Sequence, residues 1–197
     1  MKVLEVDALR KCPDVELLRR IKLLAMDVDG VLTTGEIVVM DSGTELKAFY
    51  AQDGVAIRLA GIAGLKTAWV SARDVPCVRR RGQELGVTHL ALGTFEKIPA
   101  FEAILDSEGL TYAQAAFIGD DVQDLPLIKR CALGIAVANA RDEVKQLADY
   151  VTECPGGRGA VREVVELILK AQGLWIEAVA KLVGDPEWHV PTGSSFM

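Results

Sequence analysis

Cysteine is scarce and scattered in this 197-residue chain: Cys12, Cys77, Cys131 and Cys154 form no Cys-x-x-Cys pair and have no histidine close to them in sequence. That spacing argues against a disulfide framework and against a structural zinc site. Histidine is scarcer still, with two residues. His89 lies among apolar strand residues and His189 in the C-terminal tail, so neither is a candidate catalytic base. Basic residues are outnumbered, 22 Lys and Arg against 28 Asp and Glu, for a net charge of −6. General binding to nucleic acid or to an anionic membrane needs the opposite balance. No apolar run approaches the roughly 20 residues of a membrane span. The N-terminal MKVLEVDALRKCPDVELLRR is broken by charges and lacks the apolar stretch of about 7–15 residues that a secretory signal needs. The expectation is a reduced cytoplasmic protein in which any anionic substrate is held by a local basic cluster.

Half of the residues are hydrophobic and a quarter are charged, the composition of a folded chain, and the length suits one domain at about 100–200 residues each. No repeat or low-complexity tract is visible. Apolar runs of strand length at 22–28, 66–70, 89–92, 116–118, 134–136 and 150–151 alternate with helix-length stretches at 54–63, 75–85, 97–108, 125–130, 141–147 and 160–172. Uninterrupted apolar strands are those buried on both faces, so the pattern predicts a Rossmann-like α/β fold: a parallel sheet with helices on both sides. Residues 35–50 differ. GEIVVM and TELKAFY flank Asp41-Ser42-Gly43 and read as a β-hairpin inserted after the first strand. So apolar an insertion needs a surface to pack on, and another subunit is the expected one. Residues 1–20 are expected to form a docked helical extension, 21–173 the main domain, and 174–197 a helix end followed by a loose tail after Gly184. Trp69 and Met26 read as core, Trp175 and Trp188 as residues that pack the C-terminal helix on a neighbour.

The strongest local signal is Asp27-Val28-Asp29-Gly30-Val31-Leu32-Thr33. It sets two carboxylates at the C-terminal end of the first strand, where ligands bind in open α/β sheets. Two acids on an apolar lip repel one another unless a cation intervenes, and hard oxygen donors suit Mg²⁺. Gly119-Asp120-Asp121-Val122-Gln123-Asp124 follows another short strand, and in a parallel sheet its acids emerge on the same edge. Alone, either cluster reads as turn or capping aspartates; together they converge on one metal. Between them lie Ser71 at a strand end and Lys97 in the first turn of a helix, where a cation is mildly unfavourable. A phosphate on this lip would accept a hydrogen bond from Ser71 and a charge-assisted one from Lys97.

In chain order, Asp-x-Asp, Ser, Lys and Gly-Asp-Asp-x-x-Asp resemble the four motifs of the haloacid dehalogenase superfamily of phosphotransferases. Within it, the short hairpin in place of a large cap, DVDGVLTTG, ELKAFYAQDGVAIRL, the spacing from Ser71-Ala72-Arg73 to Arg81, GDDVQDLP and GGRGAVREVVELILKAQG are similar to the 3-deoxy-D-manno-octulosonate 8-phosphate phosphatase family. The resemblance runs over about residues 21–173. It implies that Asp27 is the nucleophile that takes up the phosphoryl group. Asp29 becomes the acid that protonates the leaving sugar hydroxyl and then the base that activates water. Mg²⁺ is implied at Asp27, the backbone carbonyl of Asp29, and Asp120, supported by Asp121 and Asp124. Substrate contacts map onto Asp29, Tyr50, Ala51, Gln52, Asp53, Gly54, Arg58, Arg73, Arg81 and Lys97. The resemblance further implies four subunits joined through their hairpins, with a neighbour roofing each site.

Two departures stand out. Gln52 occupies the place of a family arginine, which removes a bidentate partner for a carboxylate or phosphate and keeps open a nine-carbon, sialic-acid-type 9-phosphate as substrate. Ala72 replaces a glycine, a change that matters only if the backbone there needs positive φ. Gly156-Gly157-Arg158-Gly159 reads as a structural entry to a helix, with Arg158 as a further candidate contact. A receiver-like phosphate-accepting module shares these residue types, but it carries its acidic pair first and its acceptor in mid-chain, the reverse of the order here. An inactive interaction domain is disfavoured because every expected group is present.

Overall fold

A computed structural model describes residues 12–188; the early part of the expected N-terminal extension and the tail from His189 onward lie outside them. Its centre is a six-stranded sheet whose strands run from edge to edge as 89–92, 66–71, 23–26, 115–119, 133–136 and 150–151. The strands are β1 (Leu23–Met26), β4 (Lys66–Ser71), β5 (His89–Leu92), β6 (Ala115–Gly119), β7 (Leu133–Ala136) and β8 (Tyr150–Val151). Every pairing is parallel. β1 lies in the middle, with Met26 level with Trp69 of β4 on one side and Ile118 of β6 on the other. All four β1 residues are buried, which is why the run reads as continuously apolar.

The helices form two groups. α1 (Val15–Arg20), α2 (Ala51–Ile62), α7 (Ala160–Ala171) and α8 (Trp175–Val183) pack together, as do α4 (Lys97–Glu108), α5 (Leu125–Ile128) and α6 (Asp142–Leu147). β4 touches α2 from the first group and α4 from the second, while α3 (Pro76–Leu85) bridges α2 and β5. The predicted α/β architecture is therefore the observed one.

Several boundaries move. β1 stops at Met26 rather than residue 28, because the amides of Leu32 and Thr33 both turn back onto the carbonyl of Val28 and close a loop. The hairpin is present as β2 (Val38–Val39) and β3 (Glu45–Leu46), paired Val38 to Leu46 and Val39 to Glu45. Its regular ladder is shorter than the expected 35–50, and residues 37–40 are exposed. The C-terminal helical region is two helices, not one, separated at Gly173 with φ +71°. The Trp175 ring is covered within the chain by the Arg162 guanidinium at 4.9 Å and the Lys170 ammonium at 5.5 Å, contacts that need no neighbouring subunit. Trp69 is core as expected, stacked on Phe49 with 5.9 Å between ring centroids.

Candidate active site

The C-terminal ends of β1, β4 and β6 bring the predicted acids, serine and lysine to one lip, because neighbouring loops diverge on the two sides of a central strand. Asp27 follows β1, Ser71 ends β4, Asp120 follows β6 and Lys97 opens α4. Asp27, Ser71, Lys97 and Asp124 are all buried. Such burial is tolerable only because the charges meet. The Lys97 ammonium lies 3.1 Å from Oδ2 of Asp27 and 2.6 Å from Oδ1 of Asp124. The anion expected near Lys97 is thus supplied first by the protein itself. Oδ2 of Asp124 accepts hydrogen bonds from the amides of Asp120 at 2.9 Å and Asp121 at 3.3 Å, so this side chain fastens the second acidic loop to the lysine. Asp121 accepts from the Val122 amide at 2.7 Å and caps the short turn 122–124.

One cation does not balance these acids. Burial, then the Asp124 charge, push the Asp27 pKa up to about 6 against the opposing pull of Lys97. Burial, then Asp124, Asp27 and Asp121, push Asp120 up to about 7. For Lys97 burial works against the charge, but Asp124 and Asp27 outweigh it and hold the pKa above its usual value. Oδ1 of Asp120 is buried without a hydrogen-bond partner, and ligand oxygens of Asp27, Asp120 and Asp124 lie within 4.8 Å of one another. Hard oxygens, surplus negative charge and an orphaned carboxylate oxygen fit Mg²⁺.

The remaining candidates divide. Asp29 is partly exposed and ion-pairs with Lys47, a residue the sequence did not single out. Ser71 accepts from the Arg73 amide at 3.2 Å, which leaves its own proton for another acceptor. The Arg73 guanidinium ion-pairs with Glu45 of the hairpin. Arg81 lies 2.9 Å from Glu84 and rests over Gly54, where a Cβ would stand 2.6 Å from its Nη2. Arg73 and Arg81 each retain a shielded Nε without a partner. Tyr50 is half-buried at the start of α2, and Ala51 and Gln52 are exposed in its first turn.

Two expectations are corrected, for Asp53 and Arg58, and the structural reading of the 156–159 segment is kept. Asp53 is buried, and its carboxylate accepts from the amides of Gly159 at 3.2 Å and Arg162 at 2.8 Å; it caps α7 and does not face the lip. Arg58 is turned to the carbonyl of Glu84 at 3.3 Å, joining α2 to α3. The amides of Gly156, Gly157 and Gly159 are committed inside the protein, to Asn139, Val31 and Asp53. A Cβ at Gly156 would stand 1.7 Å from the Gly30 carbonyl oxygen, so this segment braces the loop after β1, while the Arg158 side chain is exposed. Ala72 carries no strain, since no described residue other than glycine has positive φ. His89 bonds Glu108 at 2.7 Å, away from the acids.

A family model for haloacid dehalogenase-like hydrolases matches residues 82–164. The chain is 43% identical over 158 residues to 3-deoxy-D-manno-octulosonate 8-phosphate phosphatase KdsC of Escherichia coli K12, which covers 80% of this chain and 84% of that protein. The chain belongs to the 3-deoxy-D-manno-octulosonate 8-phosphate phosphatase family. A solved haloacid dehalogenase superfamily (subfamily III A) hydrolase of Legionella pneumophila superposes with a TM-score of 0.84 at 40% identity, covering 87% of this chain and 94% of that one. The family enzyme of Moraxella catarrhalis, solved with magnesium, phosphate and the sugar acid, gives 0.82 at 37% identity over 92% and 99% of the two chains. As a member of this family the chain is a phosphoric monoester hydrolase and uses Mg²⁺, and Asp27, Asp120 and Asp124 form a cluster that could hold it. No helix among the described residues is long and apolar enough to cross a membrane.

Proposed function

We propose that this phosphatase hydrolyses 3-deoxy-D-manno-octulosonate 8-phosphate to the free sugar acid and phosphate, in the cytoplasm, as a step of lipopolysaccharide precursor synthesis. The observation that carries the reading is the Asp27, Lys97 and Asp120 constellation at one strand lip, in a chain with such relatives. A carboxylate oxygen of Asp27 attacks phosphorus in line, and the bond from phosphorus to the sugar oxygen breaks. Asp29 gives its proton to that departing oxygen, leaving an aspartyl-phosphate. Asp29 then takes a proton from water as the water attacks the acyl phosphate, which frees phosphate and restores Asp27. The Ser71 hydroxyl and Lys97 ammonium hold phosphoryl oxygens throughout. Bound Mg²⁺ supplies charge neutralisation that lets an anionic nucleophile approach an anionic phosphate. Arg73 and Arg81, with their unpartnered Nε groups, are the proposed partners of the sugar acid's carboxylate.

The active form is proposed as a tetramer joined through the hairpins, each site roofed by a neighbour. Ile37, Val38, Val39, Met40 and Leu46 are all about half exposed, an apolar face that a monomer rarely presents. Phosphate release from a panel of eight- and nine-carbon sugar acid phosphates, with Mg²⁺, tests the substrate. Selective hydrolysis of the eight-carbon ester is expected. Preference for the nine-carbon ester would transfer the same chemistry to that substrate and implicate Gln52, which stands exposed where the family has arginine.

A further inference from the structure

The hairpin reaches the chemistry as well as the expected interface. Glu45 and Lys47, two residues apart and so on one side of an extended chain, each grip a different catalytic loop. Glu45 ion-pairs with Arg73 in the turn after Ser71, and Lys47 ion-pairs with Asp29 in the loop after Asp27. The Lys47 side chain is 0% exposed. Among the described residues its salt-bridge partner is Asp29, and an ammonium can donate to Oδ1 of that group whether or not Oδ2 carries a proton. Lys47 meets Oδ1 of Asp29, and the Thr33 hydroxyl approaches the same atom at 3.5 Å. No hydrogen bond among the described residues engages Oδ2.

We propose that Lys47 is a positioning residue that clamps Oδ1 of Asp29 and turns Oδ2 toward the departing sugar oxygen. The proposal rests on the reading of Asp29 as the acid. In the step concerned, the Asp29 proton passes from Oδ2 to the leaving oxygen as the bond to phosphorus breaks and the phosphoryl group passes to Asp27, and the sugar leaves as a neutral alcohol. Lys47 touches neither phosphorus nor the leaving group. Its effect is to restrict the Asp29 carboxylate to the rotamer in which transfer occurs.

The test compares two leaving groups. A sugar alkoxide needs the proton, whereas p-nitrophenolate departs as a stable anion and does not. kcat/KM, which covers the steps through leaving-group departure, is measured for a primary sugar phosphate that the wild type hydrolyses and for p-nitrophenyl phosphate. Lys47→Met is expected to lower the first by about 10²-fold, the lower range of a general-acid contribution, and the second by less than about 3-fold. Lys47→Arg, which keeps the cation, is expected to restore most of the loss. Equal losses on both substrates, or no rescue by arginine, would overturn the proposal and leave Lys47 a packing residue. Asp29→Asn separates the two levels of the argument. If it discriminates between the leaving groups and Lys47→Met does not, the positioning role alone falls; if neither discriminates, Asp29 is not the acid and both readings fall.

Discussion

A side-chain methyl at Gly30 would stand 2.0 Å from Oδ2 of Asp120. The two acidic loops are therefore packed so closely that only a residue without a Cβ fits between them. Gly30 also has φ +92°, which other residues adopt at a cost of about 1–2 kcal/mol. Gly30→Ala is expected to displace the Asp120 carboxylate and weaken Mg²⁺ binding by roughly 10-fold or more, the scale seen when support of a metal ligand is lost. Titration calorimetry with Mg²⁺ alone checks this without reference to turnover.

Mg²⁺ held at Asp27 and Asp120 would compete with protons for those carboxylates. Asp27 and Asp120 have native pKa values raised to about 6 and about 7 from 3.8. A raised acid pKa means that the folded, metal-free protein holds protons the unfolded chain releases, so these two groups favour folding below pH about 4. That contribution fades as pH rises through 6 and 7. Mg²⁺ binds the ionised form, so its stabilising effect runs the other way. The rise in melting temperature on adding a fixed excess of Mg²⁺ is expected to be small at pH 5 and larger at pH 7.5; an equal rise at both would contradict the shared site.

Asp53 is expected to matter for stability and little for chemistry. It joins the first turn of α2 to the start of α7 through two amides. Asp53→Ala should cost about 1–2 kcal/mol as a lost helix cap. Denaturant unfolding reads this loss, and KM for the sugar phosphate is expected to stay near the wild-type value at a temperature where the variant is folded.

The hairpin face predicts assembly. Val39→Asp places a charge in the middle of the exposed apolar strand pair and is expected to convert a tetramer to smaller species in light scattering. Activity should fall with it if a neighbour completes the site.

The sheet and the gathering of the candidate acids at one strand lip were legible because their signals are local. Strands buried on both faces read as unbroken apolar runs, and Asp27 and Asp120 each sit directly after one, with Asp29 two residues beyond Asp27. Side chains whose orientation is fixed by distant segments were not legible. Asp53 turns to α7 because Gly159, 106 residues away, packs there. Arg58 follows α3, and neither direction is written in the first turns of α2. Lys47 carried one faint signal, a lysine inside an apolar hairpin, and its meaning depends on where the loop 27–33 folds. The separation of α7 from α8 at Gly173 was signalled by that glycine, which reads equally well as a frayed helix end.

The most direct test is to let the enzyme turn over 3-deoxy-D-manno-octulosonate 8-phosphate labelled in its phosphoryl group with Mg²⁺ present, quench in acid, and map the label. An acid-stable, base-labile label on the peptide containing Asp27, absent in Asp27→Asn, is predicted. Phosphate release at an undiminished rate by Asp27→Asn, with no label on that peptide in the wild type, would contradict phosphoryl transfer to Asp27.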